Sequence, residues 1–262
     1  MELRDKVVLV TGSAHGIGEA TCRAFAEAGS VVVATSMDDD RGRKVAEEIS
    51  SDYEHLDVSR LEEWEAVIAR VVERHGKLDI LICNSGVMTR PVGDPFGDDF
   101  ANWLKPEFYH RIRGVNLDGV LYGIMTALPH FLRNGGGAVC IVGSLSGLQL
   151  ETEDPFYAMI KNGVCGLARS LGPALKPSNI TVNTLCPGGI ETRLIPSDIR
   201  ETRKTIPASR LSPPSYAAKA IVDVVAGGET GNVWVAFKEG TDPWIYEYPP
   251  QIREIARQRG LI

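Results

Sequence analysis

The sequence predicts a doubly wound α/β fold, in which a parallel sheet of about seven strands carries helices on both faces within a single domain (1–262). Three observations predict it. Short β-branched runs alternate with segments whose apolar residues recur at three-four spacing. The strand runs are apolar almost throughout, as strands covered on both faces must be, and right-handed crossovers then wind the sheet both ways. The glycines and reactive polar residues fall at the carboxyl ends of these runs, where such sheets bind ligands.

Taken in order, "KVVLVTG" is the first strand and passes into "TGSAHGIGEAT", a glycine turn opening an amphipathic helix. Gly12, Gly16 and Gly18 have the spacing of a Rossmann-type dinucleotide loop, with Ser13, His15 and Ile17 completing its cofactor-facing set. The glycines permit a tight turn, close backbone approach to a pyrophosphate and close helix packing, while the helix N-terminus faces the anion. "SVVVATS" is the second strand, and its last position is Ser36, followed by Met37. An acid there would accept from ribose hydroxyls and repel a 2′-phosphate. With serine instead, and His15 able to supply a donor or a charge, NADP(H) is favoured slightly over NAD(H). Asp38, Asp39 and Asp40 oppose this unless Arg41 or Arg43 folds back.

"DYEHLDV" and "KLDILICNSG" are the third and fourth strands. Asp57, with Val58 beside it, could accept from an adenine amino group, and Asn84, Ser85 and Gly86 could bring backbone near the ribose. "GAVCIVGS" is the fifth strand, placing Ser144 and Ser146 at the sheet's carboxyl edge. The next helix is capped by Asp154 and Pro155 and carries Tyr157 and Lys161 four residues apart, hence on one face. A tyrosine working as a base near neutral pH must be shifted by about 2 to 3 units, and burial shifts it the wrong way. Cations must therefore supply the shift, and Lys161 with an oxidised nicotinamide ring are the candidates. Ser144 would hold the substrate oxygen in line. Hydrolysis by a serine triad fits poorly, since Ser144 is not in a G-x-S-x-G elbow.

"NITVNTLCPG" and "NVWVAF" complete the strands. Two segments, 89–108 and 192–215, break the rhythm and read as long rim or lid loops. Their Phe96, Phe100, Trp103, Leu194 and Ile195 suggest a mainly apolar substrate, such as a cyclic or terpenoid-like alcohol. The tail from 238 to 262 carries Trp244, Tyr246 and Tyr248. It either packs on its own domain or covers a partner subunit or the substrate mouth.

A net charge of −6 without a basic stripe argues against nucleic acid as a partner. No apolar run reaches the roughly 18 residues of a membrane span, and no signal-peptide pattern opens the chain, so a cytoplasmic location is expected. Five widely spaced cysteines without metal-ligand spacing are expected to be buried thiols, with no metal site.

Jointly these motifs resemble the short-chain dehydrogenase/reductase family in its single-domain branch, over residues 5 to about 225. "TGSAHGIG" is similar to its TGxxxGxG loop, "CNSG" to its NNAG element, Asn116 in "GVNLDG" to its helix asparagine, Ser144 with "YAMIK" to its catalytic set, and "PGGIET" to its PG motif. The resemblance implies an NAD(P)-dependent alcohol dehydrogenase or ketoreductase with the tetrad Asn116, Ser144, Tyr157 and Lys161. Tyr157 would be the acid or base and Ser144 would orient the substrate oxygen. Lys161 would bind the nicotinamide ribose and lower the tyrosine pKa, and Asn116 would support a proton relay. Pro187, Gly188, Ile190 and Thr192 would line the nicotinamide pocket. A small-molecule alcohol or ketone and a homodimer or homotetramer are implied as partners. Ser85 in place of alanine, a longer 89–108 loop and a tail without the family's glycine-rich ending depart from the pattern. The competing reading is a dinucleotide-binding regulatory or scaffold protein without turnover, which would not need the acid-base set.

Overall fold

The alternation of apolar residues along the first strand sets the architecture. Val7 and Leu9 face one hydrophobic cluster and Val8 and Val10 face another, as strand geometry requires when both faces are covered. The structure, a computed structural model, describes residues 1–89, 103–152, 154–194, 211–249 and 256–259. Its strands are β1 (Val7–Thr11), β2 (Val31–Ser36), β3 (Asp52–His55), β4 (Ile80–Cys83), β5 (Gly137–Val142), β6 (Ile180–Pro187), β7 (Val233–Ala236) and β8 (Trp244–Ile245). The helices are α1 (Gly16–Glu27), α2 (Asp39–Glu48), α3 (Leu61–His75), α4 (Pro106–Arg113), α5 (Gly119–Arg133), α6 (Pro155–Leu175) and α7 (Pro214–Gly227).

The sheet order is β3-β2-β1-β4-β5-β6-β7-β8. Strands β1 to β7 run parallel, with Val7 opposite Val31 and Val8 opposite Ile80 on the two sides of β1. The chain builds outward from β1 in one direction and returns to build from β4 in the other. The reversal between β1 and β4 opens a crevice above their carboxyl ends.

One face of the sheet is covered by Trp64 and Ile68 of α3, Ile124 and Phe131 of α5, and Val164 and Ala168 of α6. The other is covered by Cys22 and Phe25 of α1, Ala46 of α2, and Ile221 and Val224 of α7. Helix ends follow local chemistry: Asp38 accepts from the Arg41 N–H to start α2, and Gly76, at φ 77°, ends α3. Among the described residues no helix is long and apolar enough to cross a membrane. All five cysteines are buried and free.

Among the described residues the sheet has eight strands, against an expectation of about seven. The extra one, Trp244–Ile245, pairs antiparallel with β7, and two residues carry too little alternation to be read as a strand. The third expected strand stops at His55, because Asp57 turns back to accept from Ser59. The tail packs on its own chain: Tyr246 and Tyr248 lie against Cys165, Cys186 and Val233, and the Arg169 guanidinium lies 3.6 Å from the centre of the Tyr248 ring. Of the expected rim loops, helix α4 takes in residues 106–108 and α7 takes in 214–215. Phe96, Phe100 and Ile195 lie outside the described residues.

Candidate active site

Thr11, the last residue of β1, organises the crevice. Its Oγ1 accepts from the backbone N–H of Asn84 (2.9 Å) and of Ser85 (3.0 Å), and donates to the Ile82 carbonyl at 3.3 Å. The Asn84 side chain reinforces the same seam, Nδ2 donating to the carbonyls of Thr11 (2.8 Å) and Gly12 (3.3 Å). The Asn84 amide and the backbone N–H groups of Asn84 and Ser85 thus hold the end of β4 to the glycine turn. Ser13 is likewise buried, its backbone and hydroxyl both donating to the Thr35 carbonyl.

The glycine turn has the shape its sequence implies. Gly12 and Gly16 have φ of +64° and +58°, where a side chain is disfavoured. A Cβ on Gly18 would lie 2.2 Å from the Gly12 carbonyl oxygen, so α1 can seat on β1 only without one. His15 starts α1 with no side-chain cap, which leaves the first-turn N–H groups directed at the crevice. Ile17 packs beneath, against the α1 face of the core. The chain leaving β6 folds over this turn: Ile190 bridges to Ser212, and the Thr192 methyl lies 3.0 Å from where a Gly16 Cβ would be. Gly188 approaches the Phe237 carbonyl so closely that a Cβ would sit 2.1 Å from it.

At the end of β2, Ser36 Oγ accepts from the Asp38 N–H and Met37 is exposed. The Asp38 carboxylate lies 2.9 Å from His15 Nε2, which is itself 2.9 Å from Arg193 Nη1. The Arg41 backbone N–H and His15 hold this carboxyl below its usual range. Arg41 does fold back: its Nε donates to the Ala14 carbonyl and its Nη2 pairs with Glu19. Arg43 instead stacks on Tyr53. Asp57 accepts from Ser59, while Val58 is buried against Gly119.

Deeper in the crevice α6 brings Tyr157 and Lys161 to the end of β5. Asp154 caps this helix, Oδ1 accepting from the Tyr157 N–H at 3.0 Å. Both side chains are buried. Lys161 Nζ donates to the Val142 carbonyl at 2.7 Å and lies 5.5 Å from the centre of the Tyr157 ring. Burial pushes the Tyr157 phenol up to about 12, while the Ser144 hydroxyl bonded to it pulls the other way and Asp154, Cys186 and Glu151 add to the rise. Burial also pushes the Lys161 amine down to about 8. The protein's own groups thus hold the phenol protonated at neutral pH, since desolvation of the tyrosinate outweighs the hydrogen bond.

Ser144 sits at the N-terminus of the turn Leu145–Gly147 and accepts from the Ser146 N–H. Asn116 lies in a π-helical segment, Gly114–Asp118, between α4 and α5, an irregularity that recurs at functional sites. Its amide brackets Val87, accepting from the backbone N–H and donating to the carbonyl at 2.8 Å each. A Cβ on Gly86 would lie 3.7 Å from Asn116 Oδ1 and 3.8 Å from Lys161 Nζ, so the ends of β4 and β5 and the face of α6 converge. Thr11, Thr89, Asp154 and Arg193 belong to this constellation although the motifs do not single them out as site residues.

A parallel sheet with a glycine-lined crevice and a buried tyrosine and lysine beside it defines the class of the Rossmann-type oxidoreductases. The short chain dehydrogenase family profile matches residues 6–203, and the chain belongs to that family. It is 33% identical over 199 residues to a trans-4-hydroxycyclohexanecarboxylate dehydrogenase of Sinomonas cyclohexanicum, covering 72% of this chain and 73% of that one. It is 33% identical over 202 residues to a 3-alpha-(or 20-beta)-hydroxysteroid dehydrogenase of Mycobacterium tuberculosis, with 75% of each chain covered. Among solved structures, the 3-ketoacyl-(acyl-carrier-protein) reductase of Brucella melitensis complexed with NADH superposes with a TM-score of 0.80 at 29% identity, covering 89% of this chain and 97% of that one.

Proposed function

We propose that this protein is a single-domain NAD(P)-dependent oxidoreductase that interconverts a secondary alcohol and its ketone. The observation that carries the reading is the convergence of Ser144, Tyr157, Lys161 and Asn116 at one edge of the sheet, beside a glycine turn shaped for a pyrophosphate. When bound, the nicotinamide supplies the hydride acceptor or donor. Gly12, Gly16 and the open N-terminus of α1 would hold the pyrophosphate, and Pro187, Gly188, Ile190 and Thr192 would line the nicotinamide side.

In the reducing direction Tyr157 donates its phenolic proton to the carbonyl oxygen, a role suited to a phenol that burial keeps protonated. Ser144 donates a hydrogen bond to the same oxygen and stabilises the charge that develops on it. In the oxidising direction Tyr157 must ionise, and the positive charge of Lys161, with that which an oxidised nicotinamide would add, would oppose the cost of burial. Lys161 Nζ, already on the Val142 carbonyl, has two further N–H donors for the ribose hydroxyls. Asn116 fixes the end of β4 beside it and supports the path by which the phenol is reprotonated.

A mainly apolar cyclic substrate agrees with two relatives, which bear the names of cyclic-alcohol dehydrogenases. Purified protein assayed with a panel of cyclic secondary alcohols and ketones, followed by nicotinamide absorbance, will show turnover that Tyr157→Phe lowers by at least 100-fold in kcat. Cofactor binding with no turnover on any member would sink the enzyme reading.

The phosphorylated cofactor is favoured. Arg41, His15 and Arg193 gather at the end of β2, and Asp38, the acid that would repel a 2′-phosphate, is already engaged by His15 and the Arg41 N–H. Fluorescence titration should give a several-fold lower Kd for NADPH than for NADH, and Arg41→Ala should remove most of that difference. Tighter NADH binding would reverse the preference.

A further inference from the structure

Asp154 does more than a helix cap requires. Serine or asparagine would cap α6 without burying a charge, yet Asp154 is 4% exposed and its carboxylate takes three hydrogen bonds. One comes from the Tyr157 N–H; the other two come from the backbone N–H of Thr89, at 2.9 Å, and from the Thr89 hydroxyl. Thr89 is itself buried and lies two residues beyond Val87, which the Asn116 amide brackets from both sides. Between them, the Met88 carbonyl accepts from Arg111 of α4 at 2.6 Å.

A continuous track of short bonds thus runs from Asn116 through residues 87–89 to Asp154 and on to the Tyr157 backbone. We propose that Asp154 and Thr89 are positioning residues: their clasp ties the loop after β4 to the first turn of α6 and holds Tyr157 in line with Ser144. Neither touches the reacting atoms. This inference rests on the oxidoreductase reading for its kinetic test, but not for its structural one.

The variants separate clasp from cap. Asp154→Ser keeps a side-chain acceptor for the Tyr157 N–H and loses the grip on Thr89, whereas Thr89→Val removes one hydroxyl and leaves the cap untouched. With the best ketone of the panel, both should lower kcat by about 10-fold or more with little change in KM for the cofactor, and Thr89→Ser should restore it. Asp154→Ser should also move the acidic limb of the oxidation pH profile, where activity rises as Tyr157 ionises, to lower pH. Among the described residues, the titratable groups that act on Tyr157 include Lys161, Asp154, Glu151 and the Cys186 thiol, and the variant removes only Asp154 from that set.

The activity-independent readout is amide exchange at Tyr157, followed by NMR on protein labelled with 15N-tyrosine. Thr89→Val should lower protection at that amide by at least 10-fold although its own bond to Asp154 is intact. Unchanged protection in Thr89→Val overturns the clasp, as does wild-type kcat with an unmoved profile in Asp154→Ser. If the parent protein turns over no substrate, the functional reading fails while the exchange result still decides the clasp.

Discussion

Lys161 shows how far one buried side chain can work against the fold that holds it. Its amine is 5% exposed and pushed down to about 8, whereas in the unfolded chain it holds its proton until about 10.4. Between those values the unfolded state binds more protons, so stability rises with pH across the window and the deficit is fully present below it. The depression corresponds to about 3 kcal/mol. Methionine at this position does not titrate. Urea unfolding of wild type and Lys161→Met, at pH 7.5 and again at pH 10, should therefore show the difference between them moving by about 2–3 kcal/mol in favour of wild type at the higher pH. A gap independent of pH would mean that the amine is solvated in the folded protein. The shared face of Tyr157 and Lys161 was legible from spacing alone, because four residues on one helix fix it without reference to the rest of the chain. Their electrostatics were legible only in part: cations were identified as necessary, but burial proves strong enough to raise the phenol despite the nearby lysine.

Among the elements, the seam between β1 and β4 is the joint on which the crevice depends. Thr11 supplies one oxygen to two backbone N–H groups just beyond β4, more than seventy residues away. Valine has nearly the same shape and no acceptor, so Thr11→Val should destabilise the protein by about 2–4 kcal/mol through the two orphaned donors. It should also weaken NADPH binding, because Gly12 and Asn84 meet at the same seam; an unchanged denaturation midpoint would show that water replaces the hydroxyl. The strand and helix periodicities, the glycine turn and the Asp154 cap are local signals, and apart from the shortened β3 each falls where the sequence places it. Thr11 to Ser85, Thr89 to Asp154 and His15 to Arg193 join residues 65 to 178 positions apart. Such pairs leave no periodic trace, and only the folded backbone brings them together. Strand β8 was hidden for another reason, since its pairing follows from the edge of β7 and not from its own composition.

For the whole molecule, the two ends of the sheet differ. β3 closes one end, while β8 covers the other by pairing along β7. The helical faces retain exposed apolar side chains, Met125 and Leu132 on α5 and Met159 on α6, and these suit burial against a second copy. Association through helices, with the β7 edge already paired, predicts a dimer. Size-exclusion chromatography with light scattering should give about twice the 28.5 kDa chain mass, and Met125→Lys with Met159→Lys should shift it toward the monomer. A tetramer would show that β8 yields its place at the edge.

The alternation along Val7–Thr11 also works as a ruler. Successive side chains serve opposite faces, and Gly12 follows at once. Removing one residue would exchange the two cores and draw the glycine turn back by about 3.3 Å. Laboratory evolution toward new substrates therefore has no room to alter length between Lys6 and Gly12.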